Sequence, residues 1–76
     1  MENEGLKTLG ERIREARRSL GWTQEELADH AGIDRSYIGG VERGERNLTF
    51  NVLCVICSAL RCDVAALTAG IPGEPQ

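Results

Sequence analysis

Read for the spacing of its apolar positions, the chain falls into five amphipathic segments separated by short polar breaks. From Thr8, the residues Leu9, Ile13, Ala16 and Leu20 recur at intervals of four, three and four, which predicts a helix with one buried stripe. Thr8 and Glu11 have capping-box spacing at its start, and Gly21 follows its end. Thr23 opens a second helix with Glu26 in the reciprocal capping position, and Trp22 and Leu27 are spaced for a hydrophobic staple around that cap. Ala28 is small enough to lie where two helices cross. Gly32, four residues later, suits a sharp turn that needs a positive φ or no Cβ. Asp34 caps a third helix with Ile38 and Val41 on its inward face, and Gly44 ends it in the left-handed conformation.

Beyond the loop from Glu45 to Leu48, Thr49 caps a fourth helix that runs through Leu60. Its stripe of Phe50, Leu53, Ile56, Cys57 and Leu60 is expected to pack on the first helix and the central pair, while Val52, Val55 and Ala59 form a second apolar set. A helix in so small a domain cannot bury two faces internally, so the second set is expected to meet a partner chain. Arg61 and Cys62 turn the chain, Asp63 caps a fifth helix with Val64, Ala65 and Leu67, and Gly70 and Pro72 end it. The expected architecture is all-α: one compact five-helix domain spanning 1–76, with an ordered core at about 6–70, a frayed start through Gly5 and a disordered tail to Gln76.

Composition adds an oligomer to this picture. With 76 residues, 41% of them hydrophobic and only one each of Trp, Tyr and Phe, the core is aliphatic and close to the lower size limit for self-sufficiency. Such cores lean on oligomerisation, so a homodimer is expected, through Val52, Val55, Ala59, Val64 and Leu67. The net charge of −3 weighs mildly against nucleic acid, whose phosphates favour a basic footprint. The distribution matters more than the sum. Arg35, Arg43 and Arg46 cluster in and just after the third helix, so a basic face on an acidic body is expected. Arg12, Arg14, Arg17 and Arg18 are assigned mainly to the outer faces of the first helix, in pairs such as Glu11–Arg14 and Glu15–Arg18. In the alternative, Arg17 or Arg18 reaches a phosphate. The polar first ten residues lack a signal-peptide core, and no run approaches the ~18 apolar residues of a membrane span. With three cysteines and no secretory signal, a cytoplasmic protein without a membrane partner is expected.

Cys54-x-x-Cys57 and Cys62 invite a metal reading, but a structural zinc site needs four ligands and the single histidine, His30, lies in another predicted helix. Cys57 falls on the core stripe as a small hydrophobe, and His30 reads as a surface residue. Cys54, expected to be exposed, leaves thiol sensing open as an alternative. No cofactor is expected, and no nucleophile, base and orienting acid assemble into an enzyme.

The stretch TQEELADHAGIDRSYIGGVERG, Thr23 to Gly44, resembles the helix-turn-helix of the Cro/phage-repressor-like (XRE) family of bacterial regulators at Gln24, Ala28, Gly32, Ile38, Val41 and the Glu42-Arg43-Gly44 tail. The run DRSYIGGVERGERNLT is also similar to the small controller proteins of restriction–modification systems, and the resemblance extends from about Leu6 to Leu67. It implies a lambda-repressor-like fold and a transcriptional regulator that binds a pseudo-palindromic DNA operator as a homodimer, with RNA polymerase a candidate partner. Gln24 would then hold a phosphate, and Arg35, Ser36 and Tyr37 would be the exposed early residues of the reading helix. Arg35 suits a guanine edge; a phosphate contact or a pair with Asp34 is its other reading. Tyr37 either touches DNA or covers the core. Gly40, where the family often carries a side chain, leaves room for close backbone approach. Arg43, Arg46 and Asn47 follow the reading helix, where the family touches the DNA backbone and sometimes the minor groove. Glu42 is expected to face the protein or pair with an arginine. Two other classes stay open: an antitoxin or adaptor in which the motif is only a scaffold, and a thiol-responsive regulator.

Overall fold

The computed structural model describes residues 3–73. It contains five helices and, among the described residues, no strand: α1 (Glu4–Ser19), α2 (Gln24–Ala31), α3 (Arg35–Glu42), α4 (Phe50–Leu60) and α5 (Val64–Thr68). Each begins at a side-chain cap. For α1 the cap is Asn3, whose side chain accepts the Leu6 N–H at 3.1 Å, and not Thr8. Asparagine outranks threonine as a cap, so the helix starts five residues earlier than the Thr8–Glu11 spacing predicts, and Glu4 and Gly5, expected to fray, are helical. The expected disorder of the tail falls partly on 74–76, outside the described residues.

The capping box of α2 forms as its spacing predicts: Glu26 N–H donates to Thr23 Oγ1 at 3.1 Å, and Thr23 N–H to Glu26 Oε1 at 2.8 Å. Gly32 takes φ 69° and ψ 32°, and the Ile33 N–H reaches back to the Ala28 carbonyl at 3.0 Å. This left-handed closure, with the Gly32 N–H on the Asp29 carbonyl at 3.3 Å, sets α3 against α2. Asp34 caps α3 through the Ser36 N–H, Thr49 caps α4 and Asp63 caps α5.

The helices enclose an aliphatic core of Leu9, Ile13, Leu27, Ala28, Ile38, Val41, Leu53, Ile56, Cys57, Leu60 and Leu67. Within it α1 packs on α3 and α5, α2 on α3 and α4, and α4 on α5. The crossing of α1 over α3 depends on Gly10: a Cβ there would lie 2.5 Å from the Val41 carbonyl oxygen and 2.6 Å from that of Glu42. Spacing alone misplaces three apolar residues. Phe50 is 70% exposed, because no second element covers the first residue of α4. Leu20 falls on the C-cap of α1 and faces solvent. Leu67, expected on a partner-facing surface, is only 6% exposed and belongs to the core. Among the described residues no helix is long and apolar enough to cross a membrane.

Candidate nucleic-acid interface

The candidate interface rests on a buried charge cluster. Glu42, the last residue of α3, is 1% exposed, and Arg17 of α1 is 8% exposed. Arg17 donates from Nε to Glu42 Oε2 at 2.7 Å and from Nη2 to Oε1 at 3.0 Å, a bidentate pair. Gln24 of α2 adds its Nε2 donor to Oε1 at 3.0 Å, and Arg14 approaches the same oxygen at 3.4 Å. Arg17 also donates to the Trp22 carbonyl at 2.8 Å. One carboxylate therefore ties α1 and α2 to the end of α3. Burial pushes the Glu42 carboxyl up, but the hydrogen bonds from Arg17 and Gln24, the Arg17 charge and Arg14 outweigh it, and the group sits below its ordinary value. The hydrogen bond to Glu42 holds the Arg17 guanidinium above its own ordinary value, against the opposing effect of burial.

The outer-face reading holds for Arg18, which is exposed, and is corrected for Arg12, Arg14 and Arg17. Arg17 is buried and reaches no solvent-side phosphate; Arg14 turns to Glu42; Arg12 donates to the Leu67 carbonyl at 3.0 Å, tying α1 to α5. Neither Glu11–Arg14 nor Glu15–Arg18 forms an ion pair. The signal was in the spacing: Arg17 follows Leu9 and Ile13 at intervals of four, so it continues the buried stripe. Glu42 likewise follows Ile38 by four. Glu42, expected either to face the protein or to pair with an arginine, does both.

On this base the outward edge of α3 presents Arg35 and Ser36, both exposed, and the half-buried Tyr37. Arg35 makes no hydrogen bond or ion pair among the described residues, though its charge helps depress Asp34. Asp34 sits below its ordinary value chiefly because the Ser36 hydroxyl and N–H both donate to it. The Ser36 hydroxyl is thus engaged with the cap rather than aimed outward. Gln24, expected on a phosphate, spends an amide N–H on Glu42 and sits with its Oε1 beside Gly39. Arg43 pairs with Glu45 at 3.1 Å in an exposed contact, and Asn47 is exposed.

Gly40 differs from expectation. It is buried, because the Arg46 side chain lies across it; a Cβ at Gly40 would meet Arg46 Cγ at 3.0 Å. The Arg46 guanidinium then rests 5.0 Å from the centroid of the Tyr37 ring. Arg43 lies over Gly39 in the same manner, its Nη1 3.1 Å from the Cβ position. Two helix-interior glycines each cost about 1 kcal/mol relative to alanine, and here the space they leave is filled by the two arginines that follow α3.

Away from this edge, His30 is exposed as expected but stacks on Trp22, with ring centroids 4.0 Å apart and planes 7° from parallel. The Trp22–Leu27 staple spacing gave no hint of that stack. Cys54 is half-buried rather than exposed. Burial pushes the Cys57 thiol up to about 11 and also raises Cys62, which leaves little thiolate to react. Among the described residues no three His, Cys, Asp or Glu side chains converge to hold a metal ion.

A capped helix pair on a rigid base, with an arginine-bearing edge on its second helix, defines a helix-turn-helix protein. Residues 13–67 match the helix-turn-helix family, and the chain belongs to it, within the Cro/phage-repressor-like (XRE) type. Its similarity is strong to the control protein C.SmaI of Serratia marcescens, 42% identical over 59 residues that cover 78% of this chain and 70% of that one. Among solved structures, the restriction-modification controller protein C.AhdI from Aeromonas hydrophila superposes with a TM-score of 0.79 at 44% identity, covering 82% of this chain and 94% of that one. The controller C.Esp1396I, solved as a tetramer in complex with its natural 35 base-pair operator, gives 0.76 at 37% identity over 82% of each chain.

Proposed function

We propose that this chain is a sequence-specific DNA-binding transcriptional regulator that acts as a homodimer on a pseudo-palindromic operator, as the controller of a restriction–modification system. The observation that carries this reading is Arg35: an exposed guanidinium without an ion-pair partner among the described residues, at the first residue of a capped helix anchored to α1 and α2 through Glu42. Arg35 reads a guanine edge; Tyr37, Arg43, Arg46 and Asn47 contact phosphate, sugar or neighbouring bases, Ser36 and Gln24 do so with the groups that their bonds to Asp34 and Glu42 leave free, and Gly40 lies beneath Arg46. In a symmetric pair, two α3 helices enter successive major grooves about 34 Å apart. RNA polymerase is the partner that activation would require. The protein acts in the cytoplasm by binding rather than catalysis.

The dimer surface in this reading is the outer face of α4 with α5: Val52, Val55, Ala59 and Val64, with Leu67 lying beneath it in the core. Val55 is 38% exposed, and the other three are half-buried. Val55→Asp places a charge at the centre of that surface. The expected result is a monomer in sedimentation at concentrations where the wild type is dimeric, with helical content retained; an unchanged dimer would move the interface elsewhere.

Selection of bound sites from random duplexes tests the function. The wild type is expected to enrich a two-fold-related motif, and Arg35→Ala to lose discrimination at one symmetric position. A bidentate arginine–guanine contact is worth about 1–3 kcal/mol. Uniform weakening without relaxed specificity would move Arg35 to phosphate. If no motif is enriched and binding shows no steep salt dependence, the fold serves as an interaction scaffold, because phosphate neutralisation releases counterions.

A further inference from the structure

The glycine pair of α3 and the arginines lying over it have a specific consequence for readout. We propose that Arg46 is a base-reading residue delivered onto the face of α3 from the following turn, and that Gly40 and Tyr37 are the positioning residues that seat it. The proposal rests on the DNA-binding reading above and extends it to a second specificity residue.

Three observations converge on this seat. Gly40 offers no side chain, so the Arg46 stem packs directly on the α3 backbone, with Cγ 3.0 Å, Nε 3.3 Å and Cδ 3.7 Å from where a Cβ would stand. The guanidinium at the end of that stem lies over the face of Tyr37, one helical turn back, at 5.0 Å from the ring centroid. Among the described residues Arg46 makes no ion pair, whereas Arg43, three residues before it, is held by Glu45 at 3.1 Å. A guanidinium resting on an aromatic face keeps its N–H donors free at its edge, the geometry that bidentate recognition of a guanine uses. The seat also removes much of the side-chain freedom that an exposed arginine otherwise loses on binding. The turn that launches Arg46 is itself fixed: the Glu45 N–H donates to the Gly40 carbonyl at 2.9 Å, and Gly44 has φ 77°. Exposed arginines in loops are ordinarily mobile; this one is tied to the reading helix at its stem and its tip.

The seat explains why α3 carries glycines where a helix former would hold the backbone better. Any side chain at 40 competes with the Arg46 stem for one surface. The competitor is flexible rather than backbone, so Gly40→Ala is expected to fold, with a melting midpoint equal to or above the wild type because alanine favours helix. Its damage falls on Arg46 alone.

The test uses two readouts on the full chain. In the free protein, NMR is expected to show the Arg46 δ-methylene protons shifted upfield by the Tyr37 ring, and that shift is expected to vanish in Gly40→Ala and in Tyr37→Leu. Random-duplex selection then compares wild type, Arg46→Ala, Gly40→Ala and the double variant. Arg46→Ala is expected to lose about 5- to 150-fold discrimination at a base position other than the one Arg35 governs. Gly40→Ala is expected to relax that same position, and the double variant to be no worse than Arg46→Ala. An unshifted Arg46 in the wild type overturns the seat without touching the function. So does a Gly40→Ala variant that keeps full discrimination, or effects that multiply in the double variant. Uniform weakening by Arg46→Ala makes it a phosphate contact and overturns the base-reading role. A wild type that enriches no motif overturns the DNA-binding reading itself, and this proposal with it. Should Gly40→Ala fail to fold, the wild-type upfield shift and its loss in Tyr37→Leu decide the seat, and Arg46→Ala decides the base-reading role.

Discussion

Glu42→Ala is expected to cost about 3–5 kcal/mol of stability, because it leaves the Arg17 guanidinium buried without its counter-charge. A domain of this size has roughly 4–11 kcal/mol in total at typical stability per residue. At about 4–8 °C per kcal/mol, the melting midpoint should fall by more than about 12 °C, if the variant folds at all. Circular dichroism melts check this. A drop below about 4 °C would mean that Arg17 escapes to water and that the cluster contributes little. The double variant Arg17→Met, Glu42→Leu should recover most of the loss, since replacing both members of a buried pair by apolar groups is often neutral or better. That recovery separates the cost of an orphaned charge from the intrinsic worth of the pair.

The same carboxylate makes stability depend on acid. The folded Glu42 sits below its ordinary value of 4.5, so the unfolded chain takes up a proton more readily than the folded one. Its contribution is therefore fully present above about pH 4.5 and is lost as pH falls from there through the depressed folded value. Wild type should lose more stability between pH 7 and pH 3 than Glu42→Gln, which carries no titrating group there. Equal losses would place the acid sensitivity in other carboxylates, of which the capping Asp34, also depressed, is the first candidate.

Gly10→Ala is the second large effect, and its sign runs against helix propensity. In an isolated α1 the change would stabilise by about 1 kcal/mol. In the folded protein the new Cβ would stand 2.5 Å and 2.6 Å from the carbonyl oxygens of Val41 and Glu42, with the Glu42 carbonyl carbon at 2.9 Å. These are backbone atoms of α3 and its end, so relief requires α1 and α3 to move apart. Overpacking of this kind costs typically about 1–3 kcal/mol and occasionally more, and it displaces the reading helix from α2. The expected result is a lower melting midpoint together with weaker operator binding. A raised midpoint would show that the α1–α3 crossing can open freely.

Signals in the chain are legible where the physics is local. The box at Thr23 and Glu26, the left-handed turn at Gly32 and the caps at Asp34, Thr49 and Asp63 depend on neighbours within a few residues, and each appears in the structure. The α1 cap was misplaced because two capping signals compete there and spacing does not rank them; Asn3 takes the role from Thr8. The candidate interface divided along the same line. Arg35, Arg46 and Asn47 are exposed as their polarity predicts, whereas Gly40, expected to be open to DNA, lies under Arg46.

The five helices, the turn between α2 and α3, the aliphatic character of the core and the family follow from periodicity, caps and a run of matched residues over a short span. It takes the packed fold to show that Arg17 and Glu42 are partners 25 residues apart, that Gly10 admits the α3 backbone, that Phe50 lies outside the core and Leu67 within it, and that Arg46 settles on Gly40 and Tyr37. The reason is physical. Helical spacing says which residues share a face, but what meets that face depends on how the helices cross, and a charge on an apolar stripe is tolerable only where the fold brings its counter-charge.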